Sequence, residues 1–405
     1  MRLSTNTIFA ANVSRLNEIQ TGIVRTQQQI STGRRILTPA DDPIGAAQAL
    51  DLTQGQAINA QFATNRRNAT TSLSAEEATL QGTTNLLQDV KALAISAGNG
   101  VFSDTERQFL ATDLKGRLAE LQGQANSTDG TGNYLFAGFQ VTAEPFTETA
   151  GGIAYNGDQG QRLAQVGTAR QIAMSDTGDA VFEKIRSQGV YSTAAAPANT
   201  GTGSVSAVGL ADASLLKNHD YDIKFAVNSA GATTYSVLDK TAGTTVSSGV
   251  PYGSNTPIVF DGRTLTVTDG ATAPANNDTF TVRENSHQSI FKTIGDLITA
   301  LQTPADTAQA KAELSHSLSI ANGNIGNALD SVLTVRASVG SRLKELDTMD
   351  SAGDDRNFQY ARALQQLQEV DYNKAISDFT QQNTALEAAQ KTFVKVSNMS
   401  LFSML

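Results

Sequence analysis

Phe9, Leu16, Ile23 and Ile30 recur every seven residues near one end of the chain, and Val13 and Ile19 fill the intervening steps. Near the other end Tyr372, Ile376, Phe379, Leu386, Ala389, Phe393 and Val396 repeat the three- and four-residue spacing. This is the period of a narrow apolar seam that faces one partner helix. Asn383 falls on the second stripe, where a polar residue fixes register at some cost in stability. The last residues, Leu401, Phe402, Met404 and Leu405, form an apolar tail with no obvious cover in a single molecule. Two distant seams of this kind must be buried against each other or against copies of themselves. One reading is a helical hairpin packed within one globular domain; the other is assembly. The seams are thin and bare of flanking charge, so ends that order only on assembly are expected.

Between the ends the pattern changes twice. The first helix is predicted from about Ser4 to Ser31, with Gly33 as its stop. Asp42 reads as an N-cap and Pro43 as the first residue of a helix reaching Ala97. That helix would be roughly 80 Å long. Leu50, Ala57, Leu73, Leu80, Leu87, Val90 and Ala94 are its expected apolar stripe, and Gly55 and Gly82 weaken it locally. Ser103-Asp104-Thr105-Glu106 is a capping box opening a helix to about Ala125, with Phe109, Leu110, Leu114, Leu118 and Leu121 as its expected buried face. Gly132 to Phe139 reads as strand-like. Asn156-Gly157 is a two-residue hairpin signal that sets Ile153 and Tyr155 opposite Leu163 and Gln165.

From about Gly189 to Glu284 the period is two. Tyr221, Ile223, Phe225 and Val227 form one strand, and Tyr235 and Val237 another. Ile258 and Phe260 lead through Asp261-Gly262 to Leu265 and Val267, and Phe280 and Val282 close the set. Helices resume near Ser286 with Ile290, Ile294, Leu297 and Leu301. Thr303-Pro304 restarts a helix whose stripe runs through Leu314, Leu318, Ile325, Leu329, Val332, Val339, Leu343 and Leu346. The fold class is therefore mainly α with an inserted all-β domain, a long helical hairpin or bundle being formed by both chain ends. The expected domains are 1–40 with 360–405, a terminal coiled coil disordered in the monomer; 41–185 with 285–359, a long helical bundle with a β-hairpin; and 186–284, an antiparallel β insertion at the far tip.

The chemistry of a catalyst is missing from the pattern. The chain has no Cys, which removes thiol and thiolate-metal chemistry. His219, His287 and His316 have no metal-motif spacing, and His316, between Leu314 and Leu318, reads as a half-buried structural residue. Gly201-Thr202-Gly203 lacks the rest of a dinucleotide site, and there is no P-loop. Asp41-Asp42 and Asp354-Asp355 are carboxylate pairs better suited to caps and loops than to acid–base work. No catalytic, cofactor or metal residue is therefore assigned. Charged residues make up only 17% with a net charge of -9, and without Lys/Arg clusters no nucleic-acid or anionic-membrane partner is expected. No apolar run approaches the ~20 residues of a membrane span, and the first six residues lack the apolar core of a signal peptide.

Five blocks make the two arms recognisable: Ser31-Thr32-Gly33-Arg34-Arg35 with Pro39-Ala40-Asp41-Asp42-Pro43; Tyr134-Leu135-Phe136-Ala137-Gly138-Phe139; Val335-Arg336-Ala337-Ser338-Val339-Gly340-Ser341-Arg342; Asn373-Lys374-Ala375-Ile376; and Ala385-Leu386-Glu387-Ala388-Ala389, with Val396-Ser397-Asn398-Met399-Ser400-Leu401-Phe402 at the end. In order and position they resemble the flagellin superfamily of bacterial flagella, and within it the hook-associated junction branch, over roughly the first 180 and last 120 residues. The resemblance implies a structural protein exported unfolded by the flagellar type III route without a cleaved signal peptide. It implies an extracellular ring of copies between hook and filament, touching the first hook-associated junction protein and flagellin. An export chaperone on the C-terminal helix is also implied. The assembly interface would comprise Phe9, Leu16, Ile19, Ile23, Ile30, Tyr372, Ile376, Phe379, Leu386, Phe393, Val396, Leu401 and Phe402. Two alternatives remain: a filament flagellin, and an extracellular enzyme using His219, Asp220, Asp222 and Asp261 of the β insertion.

Overall fold

The computed structural model describes residues 5–98 and 102–402. Among them lie six α-helices, three on each side of a run of short strands. They are α1 (Thr5–Thr32), α2 (Pro43–Ala97), α3 (Asp104–Ala125), α4 (Ile290–Gln302), α5 (Ala308–Gln368) and α6 (Tyr372–Phe402). The strands are β1 (Phe146–Thr149), β2 (Gly152–Tyr155), β3 (Leu163–Gly167), β4 (Arg170–Ala173), β5 (Ile185–Arg186), β6 (Tyr191–Ala195), β7 (Ser204–Val205), β8 (Gly209–Leu210), β9 (Tyr221–Val227), β10 (Thr233–Asp239), β11 (Thr244–Pro251), β12 (Pro257–Phe260), β13 (Arg263–Thr268), β14 (Thr279–Glu284) and β15 (His287–Gln288). The predicted fold class, helical arms around an antiparallel β insertion, is the one observed.

The chain divides into two compact units. The first takes Met1–Arg66, Val166–Ala169 and Asp347–Leu405. In it the start of α2 packs antiparallel on the end of α5. Asn59 Nδ2 donates to the Gly353 carbonyl at 2.8 Å, and the buried Arg66 guanidinium pairs with Asp350 and donates to the Val166 carbonyl at 3.1 Å. Gly55 is more than a weak point in α2: a Cβ there would sit 3.1 Å from the Tyr360 ring, so the missing side chain is what admits it. Leu50 and Ala57, expected on the apolar stripe, are exposed. This part of α2 turns Asn59 and Arg66 toward α5 instead.

The second unit takes Arg67–Gln165 and Arg170–Leu346. Here α2 buries Leu73, Leu80, Leu87 and Val90, α3 buries Leu114 and Leu121, α4 buries Ile294, Leu297 and Leu301, and α5 buries Ile325, Val332, Val339 and Leu346. Each such side chain gains roughly 1.5–3 kcal/mol over an exposed one. The predicted capping box is made: Glu106 N donates to Ser103 Oγ at 3.3 Å, and Ser103 N donates to Glu106 Oε2 at 2.7 Å. Phe109, placed on the buried face of α3 by its spacing, is exposed. The face α3 does bury runs through Arg107, Ala111, Leu114, Leu121 and Ala125.

Gly132–Phe139 is not a strand; it is a series of turns. Gly138 has φ +74°, and a Cβ there would collide with the Asp158 carboxylate. That carboxylate accepts from Phe139 N at 2.9 Å and Gly160 N at 2.7 Å. The turns insert Phe136 edge-on against Phe182, with ring centroids 5.2 Å apart, and Phe182 in turn meets Phe146 at 5.4 Å. The hairpin also differs from the expected one. β2 pairs with β1, Tyr155 opposite Phe146, while Leu163 belongs to β3, which pairs with β4. Asn156 leaves β2 by donating its N–H to the Pro145 carbonyl at 2.7 Å.

In the insertion, one sheet has the order β11-β10-β9-β14-β6 and the other β12-β13-β7. Their alternating residues Tyr221, Ile223, Phe225, Val237, Ile258, Phe260, Leu265, Val267, Phe280 and Val282 form a single buried core. Asp261 and Gly262 both have positive φ, 39° and 75°, as the predicted two-residue hairpin requires. β5 pairs with β15 where the chain enters and leaves the insertion, and Ser187 N donates to the Ser286 carbonyl at 3.0 Å. Helix α4 follows, capped by Ser289 Oγ, which accepts from Phe291 N at 3.1 Å. Thr303-Pro304 does not restart a helix. Thr303 is extended, as a residue before proline prefers, and α5 starts after Thr307, whose Oγ1 accepts from Ala310 N at 3.1 Å.

Candidate functional site

The two heptad segments become α1 and α6, and the first unit brings them together antiparallel. Phe9 meets Phe393 with ring centroids 5.1 Å apart. Farther along, Thr26 Oγ1 lies 3.2 Å from Gln382 Oε1. At the inner end Val370 N donates to the Gly33 carbonyl at 3.0 Å, and Arg35 N donates to the Gln368 carbonyl at 2.6 Å. Gly33 closes α1 with φ +69°, and a Cβ there would be 3.0 Å from the Tyr372 hydroxyl. Asp371 caps α6, its Oδ1 accepting from Lys374 N at 3.1 Å.

Two aspartates lock the turn that follows α1. Asp41 Oδ2 accepts from Leu37 N at 2.9 Å and Thr38 N at 2.8 Å, while its Oδ1 pairs with Arg25 at 2.8 Å. The Thr38 amide, first among these partners, holds the Asp41 carboxyl below its ordinary range. Asp42 Oδ1 accepts from Gly45 N at 2.9 Å, and its Oδ2 accepts from Arg35 at 3.1 Å. The Gly45 amide and then Arg35 lower its pKa likewise. The carboxylate pair is thus a cap and a loop brace, as its sequence context implied.

Leu16, Ile19, Ile23, Ile30, Phe379, Leu386 and Phe393 are half-buried in the pair. Phe9, Tyr372 and Ile376 are exposed, Phe9 to 50% and Ile376 to 52%. The side chains of Val396, Leu401 and Phe402 lie outside the described residues, as do Met404 and Leu405. One helix therefore covers only part of each seam. Exposed Val24 and Val394, missed by the seven-residue spacing, extend the uncovered surface. Thr26 and Gln382 were missed as well, because a polar contact between two helices leaves no apolar period; Thr26 is only 7% exposed.

The residues of the enzymatic alternative are each held at strand ends. His219 Nδ1 lies 2.7 Å from Asp239 Oδ2, Asp222 pairs with Arg283, Asp220 Oδ1 accepts from Glu284 N at 3.0 Å, and Asp261 Oδ2 accepts from the Tyr221 hydroxyl at 3.0 Å. Among the described residues no group of three or more His, Asp or Glu is arranged to hold a metal ion, and no helix is long and apolar enough to cross a membrane.

Residues 3–141 match the bacterial flagellin N-terminal helical region. A filament-type relative, flagellin FlaB2 of Treponema pallidum, is 30% identical but aligns with only 40% of this chain and 59% of its own. The flagellar junction protein of Legionella pneumophila superposes with a TM-score of 0.54 at 30% identity, covering 80% of this chain and 100% of that one. Flagellar hook-associated protein 3 of Salmonella typhimurium is 31% identical over 405 residues, 100% of this chain and 99% of that protein. A match that runs through both arms and the insertion decides the assignment: the chain belongs to the flagellar hook-associated protein 3 family.

Proposed function

We propose that this chain is a structural subunit of the bacterial flagellum that joins hook to filament, and that it acts by self-assembly rather than catalysis. The observation that carries this reading is the match to a hook-associated protein 3 over 100% of this chain, against a flagellin that aligns with only 40% of it. The half-covered α1/α6 pair supplies the physical means. Ordering a helix costs roughly 1–2 kcal/mol of backbone entropy per residue. The pair recovers only part of that, because Phe9, Val24, Ile376 and Val394 still face solvent. A neighbouring subunit that covers them contributes about 25 cal/mol per Å². Folding of the ends and assembly are then one event.

We further infer that copies of the chain form a ring that contacts the first hook-associated junction protein on one side and flagellin on the other. Before export, a chaperone would cover the α6 face that carries Ile376 and Val394. Export would follow the flagellar type III route without removal of the N-terminal region. The assembling domain would be 1–40 with 360–405, the bundle 41–185 with 285–359, and the insertion 186–284.

Deleting the gene in the parent bacterium tests the proposal. Cells with hooks, no filaments and flagellin shed into the medium, all reversed by the wild-type gene, are expected. Filaments that persist without the gene would overturn it. Long filaments grown from the purified chain alone would favour the flagellin alternative.

A further inference from the structure

Within the second unit a cavity of about 250 Å³ lies where β13, β6 and the 216–218 loop face α5. Its wall carries Arg263, which is 3% exposed yet takes part in none of the described ion pairs. The guanidinium carbon lies 4.1 Å from the centroid of the Tyr191 ring, and Nη1 reaches the Asp261 carbonyl only at 3.5 Å. A buried cation is costly unless a counter-charge and hydrogen bonds compensate it, and the long contact to Asp261 with one to the Tyr191 side chain leaves most of its five N–H donors for a ligand. α5 contributes His316 and Ser317 to the lining, the exposed Asn218 comes from the 216–218 loop, and Leu216 and Ile320 are apolar.

We propose that this cavity is a binding site for a small hydroxylated carboxylate of the size of one sugar ring, a sugar acid. The carboxylate would meet the Arg263 fork, the geometry that guanidinium groups favour. Hydroxyls would meet Ser317, Asn218 and Glu313, whose Oε1 is 3.2 Å from Gln309 Nε2. Glu313 opposes a bare inorganic anion, and Arg263 is left unmatched by a neutral sugar. The volume falls below the roughly 300–1,000 Å³ of sites for larger ligands, which limits the occupant to one ring. The charged and titratable groups facing His316 are Arg263, Glu313 and Tyr191. Burial and then Arg263 hold His316 below its ordinary pKa. A ligand carboxylate on Arg263 relieves the second cause, so binding takes up a proton.

The test is an NMR titration of the full chain, whose three histidines make the His316 ring signals assignable. The probes are glucuronate, glucose and sulfate at about 20 mM, above the millimolar Kd that a few hydrogen bonds support. Glucuronate is expected to shift the His316 signals and raise its pKa, glucose to have no effect, and sulfate to bind about tenfold more weakly. Arg263→Gln should abolish the response. Asn218→Leu, in an exposed loop, should weaken it about three- to tenfold without altering the melting temperature or the free His316 pKa. No response to glucuronate would overturn the proposal. So would an equal response to glucose or sulfate, or an undiminished response in a folded Arg263→Gln or Asn218→Leu protein.

Discussion

The rings of Phe9 and Phe393, at opposite ends of the chain, sit 5.1 Å apart, and the first of them is still half exposed. This one contact both closes the helix pair and advertises what is missing from it. Phe393→Asp puts a charge into the seam, at a cost on the order of 2–4 kcal/mol per contact. The expected outcome is about a hundredfold loss of junction assembly, with export and the melting of the second unit unchanged. Phe393→Leu should retain assembly. Normal motility in the aspartate variant would refute the coupling of folding to assembly.

Hydrogen exchange on the purified monomer reads the same coupling without a mutation. Amides of α1 and α6 should open at a cost of roughly 0–2 kcal/mol, while those of Leu73 to Val90 require global unfolding. Equal protection at both places would make the terminal pair a stable part of the free molecule.

Glu76 is fully buried beside Asp176. Its Oε1 accepts from Asp176 N at 3.0 Å, and Oε2 has no hydrogen-bond partner among the described residues. Burial, and then the Asp176 charge, raise its pKa to about 8. The folded state thus holds a proton that the unfolded chain releases near 4.5. Stability from this group is fully present below about pH 4.5 and falls as pH rises to about 8, by at most about 1.4 kcal/mol per unit. Glu76→Gln should flatten that slope, matching the wild type at low pH and exceeding it at pH 8 in thermal melts. Parallel pH profiles for the two proteins would count against a protonated Glu76.

The β5/β15 clamp brings Ser187 and Ser286 together, so the insertion is joined to the helices through two adjacent strands. Replacing residues 189–284 by a short Gly-Ser turn should leave the helical circular dichroism of the remaining chain intact. A small loss, roughly 1–3 kcal/mol, is expected because Gln309 Nε2 loses the Leu210 carbonyl that it reaches at 2.6 Å. Aggregation of the shortened chain would show that the helices depend on the insertion to fold.

The stop of α1, the starts of α2 and α3, the core strands β9, β10, β12, β13 and β14 and the Asp261-Gly262 hairpin were legible in the sequence alone, whereas the start of α5 and the edge strands β6 and β11 were not. Capping, left-handed glycine and two-residue turns are satisfied by neighbours in the chain, so Pro43–Ala97 and Ser103–Glu106 read true. The seven-residue seams likewise announced two helices in need of cover. Burial was another matter. Leu50 and Phe109 keep helical spacing yet face solvent, while Arg66 and Glu76 are buried, because the side of a helix that is covered depends on partners hundreds of residues away. The turns of Tyr134–Phe139 depend on Asp158, and the contact of Thr26 with Gln382 on the approach of α6. Local hydrogen bonding determined the elements; only tertiary packing decided which face of each one meets another and which is left facing solvent.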